Sequence, residues 1–101
     1  MILYNVTISV DNSIKEDWLQ WIKQTHIPEI MATGLFTEYK LLTLLFEQNQ
    51  DSQTFAVQYF CKSLKDFQLY EGKFAPILRQ KTQERYGEKC LAFRTLLEVL
   101  E

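Results

Sequence analysis

Apolar and polar residues alternate strictly at the start of the chain: Ile2, Tyr4, Val6, Ile8 and Val10 against Leu3, Asn5, Thr7 and Ser9. A period of two predicts a strand with one apolar face. Asp11, Asn12 and Ser13 end it, and the period then changes. Ile14, Trp18, Leu19, Trp21, Ile22, Thr25, His26 and Ile30 fall within one broad half of a helical surface, at about 100° per residue. Glu16, Asp17, Gln20, Lys23 and Gln24 fill the other half. Ser13 and Glu16 have capping-box spacing, so a helix is predicted from Ile14 to His26. Pro28 lacks a donor and pushes Ile27 away from the α region, which predicts a kink or a restart there. Gly34 is placed to close the segment.

The second half repeats the scheme. Leu35 to Phe46 reads as a strand, with Leu41, Leu42, Leu44, Leu45 and Phe46 apolar on both faces. Glu47 to Gln53 is a polar hairpin loop, and Thr54 to Cys61 a third alternating strand. Ser63 caps a second helix carrying Leu64, Phe67, Tyr70, Phe74, Ile77 and Leu78 at helical spacing. Gly72 and Pro76 weaken that helix internally and Gly87 closes it. Lys89 to Val99 is the last strand, although Arg94 to Glu101 alone fits a helix equally well. The order βαββαβ predicts an α+β ferredoxin-like sandwich, with two helices on one face of a four-stranded antiparallel sheet in the order 4-1-3-2. The other sheet face needs a cover, and a second copy of the sheet is the simplest one.

Composition narrows the classes. The 101 residues, 47% hydrophobic and 24% charged, suit one domain over 1–101. A formal charge of −2 gives no general attraction to nucleic acid or to anionic membrane. No apolar run approaches the roughly 20 residues of a membrane span. The opening residues read as a strand rather than a leader, and two distant cysteines suit free thiols, which together suggest the cytoplasm. Cys61 and Cys90 are expected at opposite sheet edges, too far apart to bridge.

The chemistry-bearing residues gather around His26, the only histidine. It lies on the apolar side of the first helix, just before Pro28, with Trp18 and Trp21 available as indole walls. An imidazole titrating near 6.5 suits a general acid or base. The alternative is a packed histidine satisfied by a backbone carbonyl that Pro28 leaves free, and no Ser, Cys or Asp at suggestive spacing completes a catalytic set. Arg94, amid apolar residues of the last strand, calls for a carboxylate partner such as Glu38, or for an anionic ligand. Tyr4, Tyr39 and Tyr59 are candidate cavity-lining hydroxyls, the alternative being plain core or interface aromatics. No zinc spacing, phosphate loop or nucleophile elbow is present, so neither metal nor cofactor is expected.

Several stretches carry a family resemblance: Ile2 to Val6; Trp18, Trp21, His26, Pro28 and Glu29; Ala32, Gly34 and Phe36; Gln58 to Phe60; and Ala92 to Leu97. Over nearly its whole length the chain resembles the dimeric α/β-barrel superfamily, and within it an uncharacterised bacterial family of about this length. The resemblance implies a homodimer whose two sheets close into a barrel. Small-ligand binding or cofactor-independent enzyme chemistry would then centre on a pocket near His26, with a small apolar or aromatic ligand. A non-catalytic homodimeric ligand- or protein-binding module is the alternative. An RNA-recognition module shares the strand order, but Ser52, Gln53 and Thr54 stand where its basic and glycine residues belong.

Overall fold

The computed structural model describes residues 1–47 and 49–101; Gln48, within the expected polar loop, lies outside the described residues. Its elements are β1 (Ile2–Asp11), α1 (Lys15–Trp21), a π-helical turn (Ile22–His26), α2 (Ile27–Met31), β2 (Glu38–Thr43), β3 (Ser52–Cys61), α3 (Leu64–Lys73), α4 (Ala75–Tyr86), a 3-10 turn (Gly87–Lys89) and β4 (Cys90–Glu98). The four strands form one antiparallel sheet in the order β2-β3-β1-β4, the ferredoxin-like arrangement, with the helices on one face. Arg94 to Glu98 is strand, so the helical alternative for that segment does not hold.

Register fixes which residues meet the helices. Tyr4, Val6, Ile8 and Val10 of β1 lie opposite Tyr59, Val57, Phe55 and Gln53 of β3, and opposite Leu96, Arg94, Ala92 and Cys90 of β4. The core beneath the helices contains Tyr4, Ile8, Val10, Val57 and Tyr59 from the sheet with Trp18, Ile22, Ile27, Ile30, Tyr70 and Leu78 from the helices. Cys61 pairs in register with Ile2 and Cys90 with Val10, so the free thiols sit at opposite ends of β1. That distance is roughly 26 Å at about 3.3 Å per residue. The separation therefore comes from register and not from opposite sheet edges, since β3 is an interior strand.

The first helical segment is continuous through Pro28 and absorbs it with a π turn. Ile27 donates its N–H to the carbonyl of Ile22, five residues back. The buried residues Trp18, Ile22, Ile27 and Ile30 explain why. The spacing of four from Trp18 to Ile22 keeps an α face, but the five from Ile22 to Ile27 would swing Ile27 about 140° off that face. One widened turn returns it to the core. Pro28 then falls in the first turn of α2, where its missing N–H costs little. Pro76 occupies the same place in α4, after a break at Phe74. If apolar spacing sets the π turn, Pro28→Ala leaves the turn and the His26 ring in place; unchanged His26 and Trp21 side-chain NMR resonances would show it.

Other local expectations are revised. Ser13 does not form the capping box, because its N–H is taken by Asp11 Oδ1 at 2.8 Å in a turn that precedes the helix. Ile14 is the N-cap, without a side-chain bond. Ser63 does cap α3, accepting from the Asp66 N–H at 3.2 Å. Gly34 and Gly87 both take positive φ, 78° and 56°, where their segments end. The second strand is shorter than its composition suggested. Beyond Thr43, the Glu47 carboxylate captures the Thr54 N–H at 3.0 Å, and Gln53 Nε2 donates to Thr43 Oγ1 and the Leu44 carbonyl. The ladder stops there, leaving Leu45 and Phe46 83% and 88% exposed.

Candidate functional site

A cavity of about 500 Å³ lies over β1 and β4, bounded by α1 and the π turn on one side and α4 on the other. Val6, Ile8, Cys90, Ala92 and Arg94 form its floor, Trp18, Trp21, Ile22 and His26 one wall, and Pro76, Arg79, Gln80, Thr82 and Gln83 the opposite wall. The volume falls within the usual range for small-molecule sites, about 300–1,000 Å³. A smaller void of about 30 Å³ adjoins His26, Arg79 and Arg94 on its inner side, lined by Tyr4, Tyr59 and Tyr70.

His26 ends the π turn, and its ring stacks on Trp21 at 4.8 Å with 20° between planes. Trp21 is held from outside by Tyr86, edge-on at 5.5 Å, and by the Arg85 guanidinium 5.8 Å from its ring centre. Asp17 fixes both supports: it accepts from Tyr86 Oη at 2.7 Å and pairs with Arg85 at 3.2 Å. The Tyr86 hydrogen bond, more than the Arg85 charge, holds the Asp17 carboxyl below its ordinary pKa. No buried side-chain nitrogen or oxygen of the described residues lacks a partner, and none of their side-chain hydrogen bonds involves His26. The imidazole nitrogens are therefore not sealed away from solvent and not tied to a backbone carbonyl, and the ring lines the cavity. Burial lowers the His26 pKa from 6.5 to about 4, with Glu29 opposing the effect and Arg94 and Lys81 adding to it.

Of the residues singled out from the sequence, His26, Trp18, Trp21 and Arg94 come together at the cavity. Trp18 is fully buried and packs on Phe55 at 5.0 Å, so it is as much core as wall. Tyr59, 1% exposed, reaches only the inner void, and desolvation pushes its hydroxyl far above the ordinary phenol value. Tyr39 lies away from the cavity on the edge strand β2 and is 47% exposed. Glu38 does not meet Arg94: it pairs in register with Phe60 on the opposite sheet face, at the far edge from β4. A cluster that the sequence did not suggest stands beside the cavity. Arg79 makes two hydrogen bonds to Glu71, at 2.7 and 2.8 Å, and donates to Tyr4 Oη at 3.0 Å. Glu71 and Arg79 are eight residues apart on either side of the helix break, a spacing that carries no signal until the break is known. No group of three or more His, Cys, Asp or Glu side chains among the described residues is placed to hold a metal ion. Among the described residues no helix is long and apolar enough to cross a membrane.

Comparison with solved structures supports the same architecture. An ethyl tert-butyl ether d (ethd) family protein from Bacillus halodurans c-125 superimposes with a TM-score of 0.69 at 11% identity, over 99% of this chain and 100% of that one. A mutant of MhuD with two manganese protoporphyrin IX molecules bound per active site gives 0.69 at 14% identity, over 100% and 96%. A dimeric ferredoxin-like protein from an uncultured marine organism gives 0.62 at 12% identity, over 99% and 96%. At such identities the likeness is one of fold. No curated protein is detectably similar in sequence. Residues 1–100 match the model of the domain of unknown function DUF4286, and the chain belongs to that family.

Proposed function

We propose that the protein is a homodimeric small-molecule-binding domain whose ligand occupies the cavity beside His26. The observation that carries this reading is a cavity of about 500 Å³ onto which an aromatic stack and an imidazole without hydrogen bonds both open. Apolar lining with a few convergent polar groups is the usual character of a ligand site. With a pKa of about 4 the imidazole is neutral near pH 7, so it serves first as a hydrogen-bonding contact. A general base works best with a pKa near the operating pH. The enzyme reading therefore requires a bound anion to raise the imidazole pKa, and the open imidazole nitrogens leave room for that. Ligand binding is tested by the aromatic-acid titration set out in the next subsection. His26→Asn should weaken binding there while the thermal melt at pH 7 moves little. A large loss of stability with unchanged binding would make His26 a packing residue.

Dimerisation is the second part of the proposal. The sheet face away from the helices exposes Leu42 (41%), Leu91 (57%), Phe93 (74%) and Leu97 (46%). Most of this apolar surface lies on β4, in Leu91, Phe93 and Leu97, with Leu42 alone from β2, where the composition of the second strand suggested more. A second copy packed sheet to sheet would cover it, and an obligate interface should bury more than about 2,000 Å² in total. Sedimentation at micromolar concentration should give twice the chain mass, and Phe93→Lys, in a protomer where that ring is already exposed, should give a folded monomer. A wild-type monomer would reject the barrel.

A further inference from the structure

The charges lining the cavity are both guanidinium groups, Arg79 and Arg94; the lining contains no aspartate or glutamate. Arg79 is balanced, since its two bonds to Glu71 and one to Tyr4 occupy its fork, and those bonds raise its pKa further. Arg94 is different. It stands opposite Val6 on the helix-facing side of β4, between Ala92 and Leu96 on that face, and enters no ion pair among the described residues. The cavity thus carries one uncompensated positive charge beside an aromatic wall. A cation would be repelled; Arg94, exposed to solvent in the unliganded chain, would lose water beneath a neutral ligand and gain a counter-charge only from an anion. A dianionic phosphate would call for a second free cation or a cradle of backbone N–H groups, whereas one planar fork matches one carboxylate. The volume admits more than a bare ring, since about 150 Å³ suffices for benzene.

We propose that the ligand is a small aromatic or planar carboxylate, its carboxylate held by Arg94 and its ring laid against the Trp21–His26 wall. The proposal rests on the ligand-binding reading above and adds the ligand's charge and shape. The carboxylate would supply the counter-charge that Glu38, at the far edge of the sheet, cannot.

The test titrates the wild-type protein and Arg94→Gln with benzoate, phenylacetate and 2-naphthoate, each beside its own primary amide, and with phenyl phosphate. Tryptophan fluorescence and the His26 and Trp21 NMR resonances follow occupancy. At least one acid should bind ten-fold or more tightly than its amide. Arg94→Gln should abolish that preference by weakening the acid far more than the amide, with the thermal melt unchanged. Acid and amide binding equally, or phenyl phosphate outcompeting every acid, would overturn the carboxylate assignment while leaving a ligand site at His26. If no probe binds and the His26 and Trp21 resonances stay fixed, the assignment and the ligand-binding reading both fall.

Discussion

Trp18→Ala is expected to lower the unfolding free energy by about 3–5 kcal/mol, the range for emptying a large buried aromatic site. Trp18 has no exposed surface and lies against Phe55, between the first helix and β3. A chain of 101 residues has roughly 5–15 kcal/mol of stability in all, so this one change can take much of it. Trp21, three residues further along the chain, makes the useful contrast. It is partly buried, touches His26, Tyr86 and Arg85, and stands at the cavity mouth. Trp21→Ala should cost far less stability and should disturb the His26 ring instead. Urea denaturation of both variants, with NMR of the imidazole, separates the two roles. Equal losses would mean that both indoles serve the core alike.

That contrast shows what the sequence made legible. Strand alternation and helical spacing suffice for the facing of β1 and β3 and for the grouping of Trp18, Trp21 and His26 on the apolar side of the first helix, because each depends on a local period. The βαββαβ order of elements then implies the sheet order. Features that depend on the spacing between elements were less accessible. The π turn is written in the five-residue gap from Ile22 to Ile27, but a gap of five looks like a missed period until Ile27 is known to be buried. The end of β2 is set by Glu47 and Gln53 competing for ladder groups across the hairpin, so apolar content alone extended the strand too far. Tyr39 fell outside the cavity because β2 is an edge strand on the side away from β4. The Arg79–Glu71–Tyr4 cluster joins three elements, and no single stretch of sequence announces it.

Acidification should reveal how His26 is housed. Its pKa falls from 6.5 to about 4 in the folded chain, so between those values the unfolded chain binds more protons than the folded one. Unfolding free energy then rises with pH across that window, and falls as pH drops through it. The 2.5-unit shift corresponds to about 3 kcal/mol, present in full above pH 6.5 and lost by pH 4. Asp11 and Asp17 are held below 3.8 by hydrogen bonds, from Ser13 and Tyr86 first of all, so their contributions disappear only at lower pH and do not mask the effect. Urea midpoints at steps from pH 7.5 to 4 should therefore slope downward in the wild-type protein. In His26→Asn they should stay nearly flat down to pH 4.5, whatever that change costs at pH 7. The ring proton shifts should titrate near pH 4 in the same samples. Adding a carboxylate ligand should move that midpoint upward, because an anion at Arg94 cancels one of the charges that disfavour the imidazolium. A ring that titrates near 6.5 with no slope in stability would mean a solvated imidazole, and the neutral contact assigned to it would not stand.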